Sequence, residues 1–341
     1  MVLDNLLSPA VLFFVLGLVA AIVKSDLKFP SALSESLSIY LLAAIGLKGG
    51  IEISKYSFSD LMNPLIGAMV LGAIIPVVMF WICTRLRFDF SQAAALAATY
   101  GSVSIVTFGA GMAFLEELAI PFESYMTALV VVMESPAIFI ALMIYFARQK
   151  QSESPAETKN RSPYALGIIA TQVNPFPKGS FGHILRESIF GKSVLLMIGA
   201  MIVGMVGGKD ALPVVKPLFI DLYPSILMIF LLGMGLVAGE RIGDLRKFGW
   251  KSFALATTAP LVFGILGVII GYACGMSVGG TTLLGVLGAS ASYIAAPAAI
   301  KQSIPEANPA IYLGMSLGMT FPFNLIIGIP IYMQIAIWIH N

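Results

Sequence analysis

The sequence predicts an all-α polytopic membrane protein, with ten transmembrane helices forming a 5+5 inverted repeat with discontinuous helices 4 and 9. Three observations lead to this prediction. Of the 341 residues, 58% are hydrophobic and only 11% are charged, whereas charged residues make up roughly a quarter of a soluble domain. Apolar runs recur along the whole chain, and a serine-bearing stretch appears once in each half. The composition therefore excludes a soluble globular protein.

The apolar runs define the candidate spans. Several are shorter than the ~20 residues that a straight helix needs to cross the hydrocarbon core, so we expect flanking polar residues to extend them. The first run follows a segment with Asp4 and no basic residue, which lacks the positive region of a signal peptide, so we expect it to remain as a span. The runs cover about 9–23, 33–47, 63–83, 91–112, 124–147, 193–207, 222–238, 253–274, 281–300 and 309–338.

The Lys and Arg positions predict the orientation. If the N-terminus is outside, the outer side keeps four basic residues, which leaves 20 − 4 = 16 on the inner side. Basic residues accumulate on the cytoplasmic side of membrane proteins, so both termini are expected outside. The four outer residues are Lys48, Lys55, Lys209 and Lys216.

One long hydrophilic interval, 148–192, divides the chain into a first half at 1–147 and a second half at 193–341. Breaker residues such as those of Asn174-Pro175-Phe176-Pro177 support its assignment as a linker. Five spans precede the interval. Because five is odd, the second half starts from the opposite side of the membrane, which makes the halves an inverted repeat.

Short motifs recur in the same order in both halves. Residues 101–104 (GSVS) match residues 289–292 (ASAS), with 290 − 102 = 188. The motif at 46–50 (GLKGG) matches 235–239 (GLVAG), and 133–136 (MESP) matches 319–322 (MTFP). Repeated order at a nearly constant offset indicates internal duplication.

Small residues at mid-span allow either close helix packing or local unwinding. Packing is the better interpretation of a single patch, but two patches at equivalent depths of inverted halves favour broken helices at a binding site. Free amides at a broken helix's N-terminus suit a small anion, and such backbone is tolerated only where protein or a water-filled cavity surrounds it. The candidate substrate-binding residues are Gly101, Ser102, Val103, Ser104, Ser290, Ala291, Ser292 and Tyr293.

Glu134 is the clearest acidic residue within a span, because no other charged residue lies between Glu123 and Arg148. A carboxylate at that depth needs a cation, a proton or a hydrogen-bond donor. We interpret it as a cation ligand or proton carrier, and the alternative is a protonated side chain bonded to a neighbouring helix. Oxygen ligands suit hard cations, and Thr107, Ser135, Thr320 and Asn324 complete the candidate cation set.

The sequence argues against an enzyme. An intramembrane hydrolase needs a nucleophile with a base at depth, but His183 falls in the linker, His340 lies at the C-terminus and no Asp lies within a predicted span. Two cysteines, Cys83 and Cys274, do not indicate a metal site. We therefore expect no cofactor, with Na⁺ only as a coupling ion. A passive channel and a proton-coupled carrier remain open as alternatives.

The order of GLKGG, GSVS, MESP, ERIGDLRK (240–247), GASAS and IPEANPAIY (304–312) resembles the sodium-dependent bicarbonate transporter family known from cyanobacteria. The resemblance covers essentially every span. It implies a sodium-coupled importer of bicarbonate in the bacterial inner membrane. It also implies a homotrimer that binds no nucleic acid and has a PII-like cytosolic regulator.

The same resemblance implies a gate domain of helices 1, 2, 6 and 7 and a core domain of helices 3 to 5 and 8 to 10, in which half-helices of 4 and 9 cross. It places Ser102, Ser104, Ser290 and Ser292 at the substrate site. The chain departs from the family pattern at Tyr293, where an acidic residue is expected. At Ile105 and Val106 it departs again, because they replace a small polar pair. These departures leave the identity of the anion and of the coupling ion open.

The charge distribution predicts that both termini face outward and that the linker is cytosolic. A cysteine placed at Ser154 should not react with a membrane-impermeant thiol reagent added outside, whereas a cysteine at Lys209 should react. Labelling of intact cells before and after permeabilisation measures this. Reaction at position 154 before permeabilisation would refute the orientation.

Overall fold

The structure, a computed structural model, describes residues 7–53, 56–152, 192–245 and 249–341. These residues form helices and connecting turns, and they contain no strand. The first half contains α1 (Pro9–Ile22), α2 (Ser31–Ile53), α3 (Phe58–Arg85), α4 (Phe90–Gly101), α5 (Ile105–Glu117) and α6 (Met126–Ser152). The second half contains α7 (Lys192–Gly207), α8 (Tyr223–Leu245), α9 (Gly249–Ala273), α10 (Val278–Ala289), α11 (Ala295–Ser303) and α12 (Pro309–His340).

The prediction of an all-helical chain with several membrane spans is confirmed. Among the described residues, seven helical stretches are long and apolar enough to cross a bilayer, and three shorter apolar helices lie at Pro9–Ile22, Val194–Gly207 and Val278–Ala289. Every predicted apolar run therefore coincides with helix, and the runs at 91–112 and 281–300 are each interrupted, at 102–104 and 290–294. Most of the predicted linker, from 153 to 191, lies outside the described residues.

Helices α4 and α10 are equivalent in length and position. Each has 12 residues, and their first residues are separated by 278 − 90 = 188 positions. Both helices end because the next residue, Ser102 or Ser290, is extended, with ψ of 150° and 160° respectively. The chain resumes as α5 and α11, so each half contains a pair of half-helices.

The start of α10 is held by the loop that precedes α6. The Glu123 carboxylate accepts hydrogen bonds from the Ser277 backbone N–H at 2.6 Å and from the Ser277 hydroxyl at 3.0 Å. The Ser277 hydroxyl also accepts from the Gly280 N–H at 3.2 Å and caps the helix. These bonds connect the two halves of the chain at one end of the half-helices.

We name two sets of helices after the gate and core domains that the resemblance implies. In the gate group α1 packs along α8 and α2 packs along α7. In the core group α3, α4 and α6 pack together, as do α9, α10 and α12. The half-helices connect these two bundles, because α5 contacts α10 and α11 contacts α4. Exchanging the first half for the second leaves this contact pattern unchanged.

Glycines let the gate helices approach closely. A Cβ at Gly50 of α2 would overlap the carbonyl oxygen of Met201 in α7, and a Cβ at Gly235 of α8 would overlap that of Phe14 in α1. The matched motifs at 46–50 and 235–239 therefore supply equivalent packing seams. Small residues serve this purpose widely between membrane helices.

Two glycines of α7 should respond oppositely to alanine. A Cβ at Gly204 would overlap the Leu47 carbonyl oxygen, whereas a Cβ at Gly199 meets nothing within 4 Å. Gly204→Ala should destabilise the protein by about 1–3 kcal/mol. Gly199→Ala should leave stability unchanged or raise it, since alanine favours helix. Thermal unfolding of purified protein measures both, and equal losses would contradict the packing seam.

Candidate functional site

The two interruptions, residues 102–104 and 290–294, meet and hydrogen-bond to each other; we call this region the crossing. The Ser104 N–H donates to the Ser290 hydroxyl oxygen at 2.9 Å, and the Ser292 N–H donates to the Thr99 carbonyl oxygen at 2.8 Å. The Ser290 hydroxyl then donates to the Leu287 carbonyl oxygen at 2.8 Å. The second interruption therefore supplies an acceptor for the backbone of the first, and the last turns of α4 supply one for the backbone of the second.

The serines at positions 104 and 292 bond to the first turns of the second half-helices. Ser104 is the N-cap of α5, and its hydroxyl accepts from the Thr107 N–H at 3.2 Å, a role for which serine is a preferred residue. In α11 the N-cap is Ile294, and the hydroxyl of Ser292, two residues earlier, accepts from the Ala296 N–H at 3.2 Å. The N-terminus of a helix carries partial positive charge, so α5 and α11 direct two positive ends toward the crossing.

A small cavity lies where the crossing faces the gate group; we call it the site cavity. Its volume is about 20 Å³, which leaves room for one or two water molecules. The core group contributes Val103, Ser104, Ile105, Val106, Glu134, Ser292, Tyr293, Ile294 and Ala295, and the gate group contributes Ser38, Leu41, Leu42, Ile45, Tyr223 and Leu227. The cavity is therefore formed jointly by the two groups.

Two oxygens that belong to residues of this lining have no hydrogen-bond partner among the described residues, Glu134 Oε2 and Tyr223 Oη. The Tyr293 hydroxyl also lacks a partner at normal hydrogen-bond geometry, but it interacts with the Ser104 side chain. Glu134 itself is only 2% exposed. Buried polar atoms are nearly always paired in proteins, so unpaired oxygens around one small space point to a site for a polar ligand or an ion.

The candidate substrate residues divide into two sets. Val103, Ser104, Ser292 and Tyr293 line the site cavity. Gly101, Ser102, Ser290 and Ala291 are buried without lining it. In the second set, Ser290 holds the crossing together, and a side chain at Gly101 would press against Pro76 and Ala137.

The candidate cation residues are not gathered in the same way, because Glu134 faces the site cavity while Thr107, Thr320 and Asn324 do not line it. Thr320 donates to the Ala256 carbonyl oxygen at 2.7 Å and lies 2.7 Å from the Tyr100 hydroxyl. The side chain of Ser135 lies outside the described part of the structure.

Asn324 ties α12 to the end of α10. Its side-chain amide donates to the Ala289 carbonyl oxygen at 2.7 Å, and its carbonyl oxygen accepts from the Tyr332 hydroxyl at 3.0 Å. These bonds satisfy a carbonyl that α10 leaves free at its end. Asn324 thus fixes the end of α10 next to the crossing without lining the site cavity.

Sequence reasoning missed the contribution of the gate group, notably Ser38 and Tyr223. The Tyr223 hydroxyl packs directly against Gly109 of α5, where any side chain would displace it. Neither residue belongs to a repeated motif, and a tyrosine at the start of an apolar run is ordinary near a membrane surface. The sequence contained no specific signal for them.

The chain was compared with protein families and with curated proteins. The family model described as the Na⁺-dependent bicarbonate transporter superfamily matches residues 9–337. Curated proteins give no match. The matched range extends from the start of α1 almost to the end of α12 and includes both sides of the site cavity.

The crossing predicts different roles for two equivalent serines. Ser290→Ala should destabilise the protein by about 1–3 kcal/mol, because the buried Ser104 N–H loses its acceptor. Ser102→Ala should cause no loss of stability, because the buried Ser102 hydroxyl oxygen has no partner among the described residues. Thermal unfolding of both variants measures the difference. A larger loss for Ser102→Ala would contradict the hydrogen-bond pattern of the crossing.

Proposed function

The chain belongs to the Na⁺-dependent bicarbonate transporter superfamily, and from this premise we propose that it is a secondary active transporter that imports a small anion, bicarbonate foremost, together with sodium. The observation that carries the proposal is the site cavity. It combines two half-helix N-termini with a buried carboxylate at the boundary between the gate and core groups.

The site cavity suits a small oxyanion. The N-termini of α5 and α11 supply partial positive charge and backbone N–H groups, an arrangement that commonly binds anions. The hydroxyl groups of Tyr223 and Tyr293 are additional donors at the same space. Bicarbonate is planar, carries one negative charge and can itself donate one hydrogen bond, for which Glu134 or a serine hydroxyl is an acceptor.

Glu134 supplies the negative charge that a coupling cation requires. Its carboxylate is buried and one of its oxygens is unpaired among the described residues. A sodium ion there would neutralise the carboxylate and add positive charge beside the anion. The same unpaired oxygen also favours a second candidate, in which Glu134 carries a proton and the anion is coupled to protons.

Transport requires the gate and core groups to separate. Space for one or two water molecules is too small for bicarbonate, so the site cavity must open to admit it. In the proposal ten helices cross the inner membrane as a 5+5 inverted repeat with both termini outside, and the core group moves against the gate group to expose the site alternately. The homotrimer and the PII-like regulator belong to the same proposal.

Uptake into proteoliposomes tests the proposed function. An inward sodium gradient should drive labelled bicarbonate above its equilibrium level, and formate and nitrate serve as competitors. Ser104→Leu and Ser292→Leu, which fill the site cavity, should abolish uptake in correctly folded protein. Uptake that only equilibrates would indicate a passive channel, and uptake unaffected by both variants would exclude this cavity as the site.

Glu134→Gln should separate sodium coupling from proton coupling. Glutamine keeps the shape and one oxygen but removes the charge, so a sodium site should survive with a much weaker dependence on Na⁺. A proton carrier should instead lose concentrative uptake and its dependence on pH. Initial rates at several Na⁺ concentrations and pH values measure both responses. Unchanged Na⁺ and pH responses would show that Glu134 is structural.

A further inference from the structure

Two more cavities continue from the site cavity toward one surface. A middle chamber of about 60 Å³ shares Ile45 and Tyr223 with the site cavity. An open vestibule of about 500 Å³ shares Lys48, Glu116 and Ser124 with the middle chamber. The three spaces are therefore consecutive along the boundary between the gate and core groups.

The vestibule opens on the side predicted to be outside. It is lined by the last residues of α5 and by Ala119, Ile120 and Pro121, which follow that helix. The outward assignment follows from the distribution of basic residues. The consecutive cavities thus define a route from the external solution to the crossing.

Lys48 is the only positively charged residue among the described residues that line these three spaces. Its ammonium group on α2 forms an ion pair with Glu116 on α5. The two side chains are 36% and 37% exposed, and Lys48 also lies 5.9 Å from the centre of the Phe122 ring. Solvent-exposed pairs of this kind contribute little to stability, so another anion can compete for the lysine.

We propose that Lys48 forms an outer anion-binding site in the middle chamber, where an incoming bicarbonate or similar small oxyanion replaces Glu116 as the partner of the ammonium group. The inference rests on the proposed function and extends it to the route. The chamber has room for about four or five water molecules, comparable to one such anion. Glu116, which lines both the vestibule and the middle chamber, is the negative charge that Lys48 counters.

The exchange has a mechanical consequence. Lys48 belongs to the gate group and Glu116 to the core group, so their ion pair ties the two groups together at the outer side. An anion that takes Lys48 releases this tie. Tyr223 lines both the middle chamber and the site cavity, so its hydroxyl is the next donor that the anion meets.

Kinetic variants test the site. Lys48→Gln should raise the KM for external bicarbonate roughly tenfold, the loss expected for one charge-assisted contact, with little change in Vmax. Lys48→Arg should keep KM near the wild-type value. Glu116→Gln breaks the same ion pair but keeps the lysine, so KM should fall or stay unchanged. Lys216→Gln is the control, because Lys216 pairs with Asp221 at 4.0 Å and lies outside these cavities.

Two kinetic results would overturn the inference. An unchanged KM in Lys48→Gln would show that the anion does not use the lysine. An equal rise in KM for Lys48→Gln and Glu116→Gln would show that the pair acts only as a structural tie. If the wild-type protein transports neither bicarbonate, formate nor nitrate, the proposed function is wrong. The thiol-labelling experiment below still tests the Lys48 site in that case.

The charge of the chamber can be measured without transport. Ser124→Cys, with Cys83 and Cys274 replaced by alanine, places one thiol at the junction of vestibule and middle chamber. The ratio of reaction rates with anionic and cationic impermeant thiol reagents should fall severalfold on adding Lys48→Gln, rise with Glu116→Gln and stay constant with Lys216→Gln. A ratio insensitive to Lys48→Gln, or no labelling from outside, would overturn the inference.

Discussion

A backbone that leaves the helix inside a membrane must find its hydrogen-bond partners within the protein. This chain does so twice, after Gly101 and after Ala289. The Ser104 N–H donates to Ser290, and the Ser292 N–H donates to Thr99 at the end of α4. Neither interruption could be buried alone without leaving unpaired backbone groups. The mutual pairing therefore requires both halves of the chain, and the positions of α5, α11 and the site cavity follow from it.

Small residues have two distinct uses in this fold. In the gate group, glycines such as Gly50 and Gly235 bring helices into backbone contact, which makes each pair a rigid unit. At the crossing, Ser102 and Ser290 follow the first half-helices, and the hydroxyls of Ser104 and Ser292 bond to the first turns of the second. Two compact groups that meet at a small cavity can move against each other while the crossing stays intact, which is what alternating access in the proposed transporter requires.

Charge along the boundary between the groups is sparse and ordered. One acid, Glu134, lies at the site cavity, and one cation, Lys48, lies on the route toward the outer surface. In the proposed transporter, an anion on this route would leave a partly exposed lysine for the positive ends of two half-helices. Each step would replace one weak positive site by another and so attract the anion without holding it permanently.

The sequence by itself determined the helical membrane class and the positions of the two interruptions. Both are local properties, because apolar runs favour membrane helices and clustered Gly and Ser weaken a helix where they occur. The offset of 188 residues between Ser102 and Ser290, which the neighbouring motifs nearly share, also indicated that the two interruptions are equivalent. Tertiary structure alone decided that Ser104 and Ser292 face the cavity while Ser102 and Ser290 do not. It also brought Tyr223 to Gly109, and it engaged Thr320 and Asn324 in bonds between helices. The direction of a side chain at a helix interruption depends on what packs against it, and those partners come from distant parts of the chain.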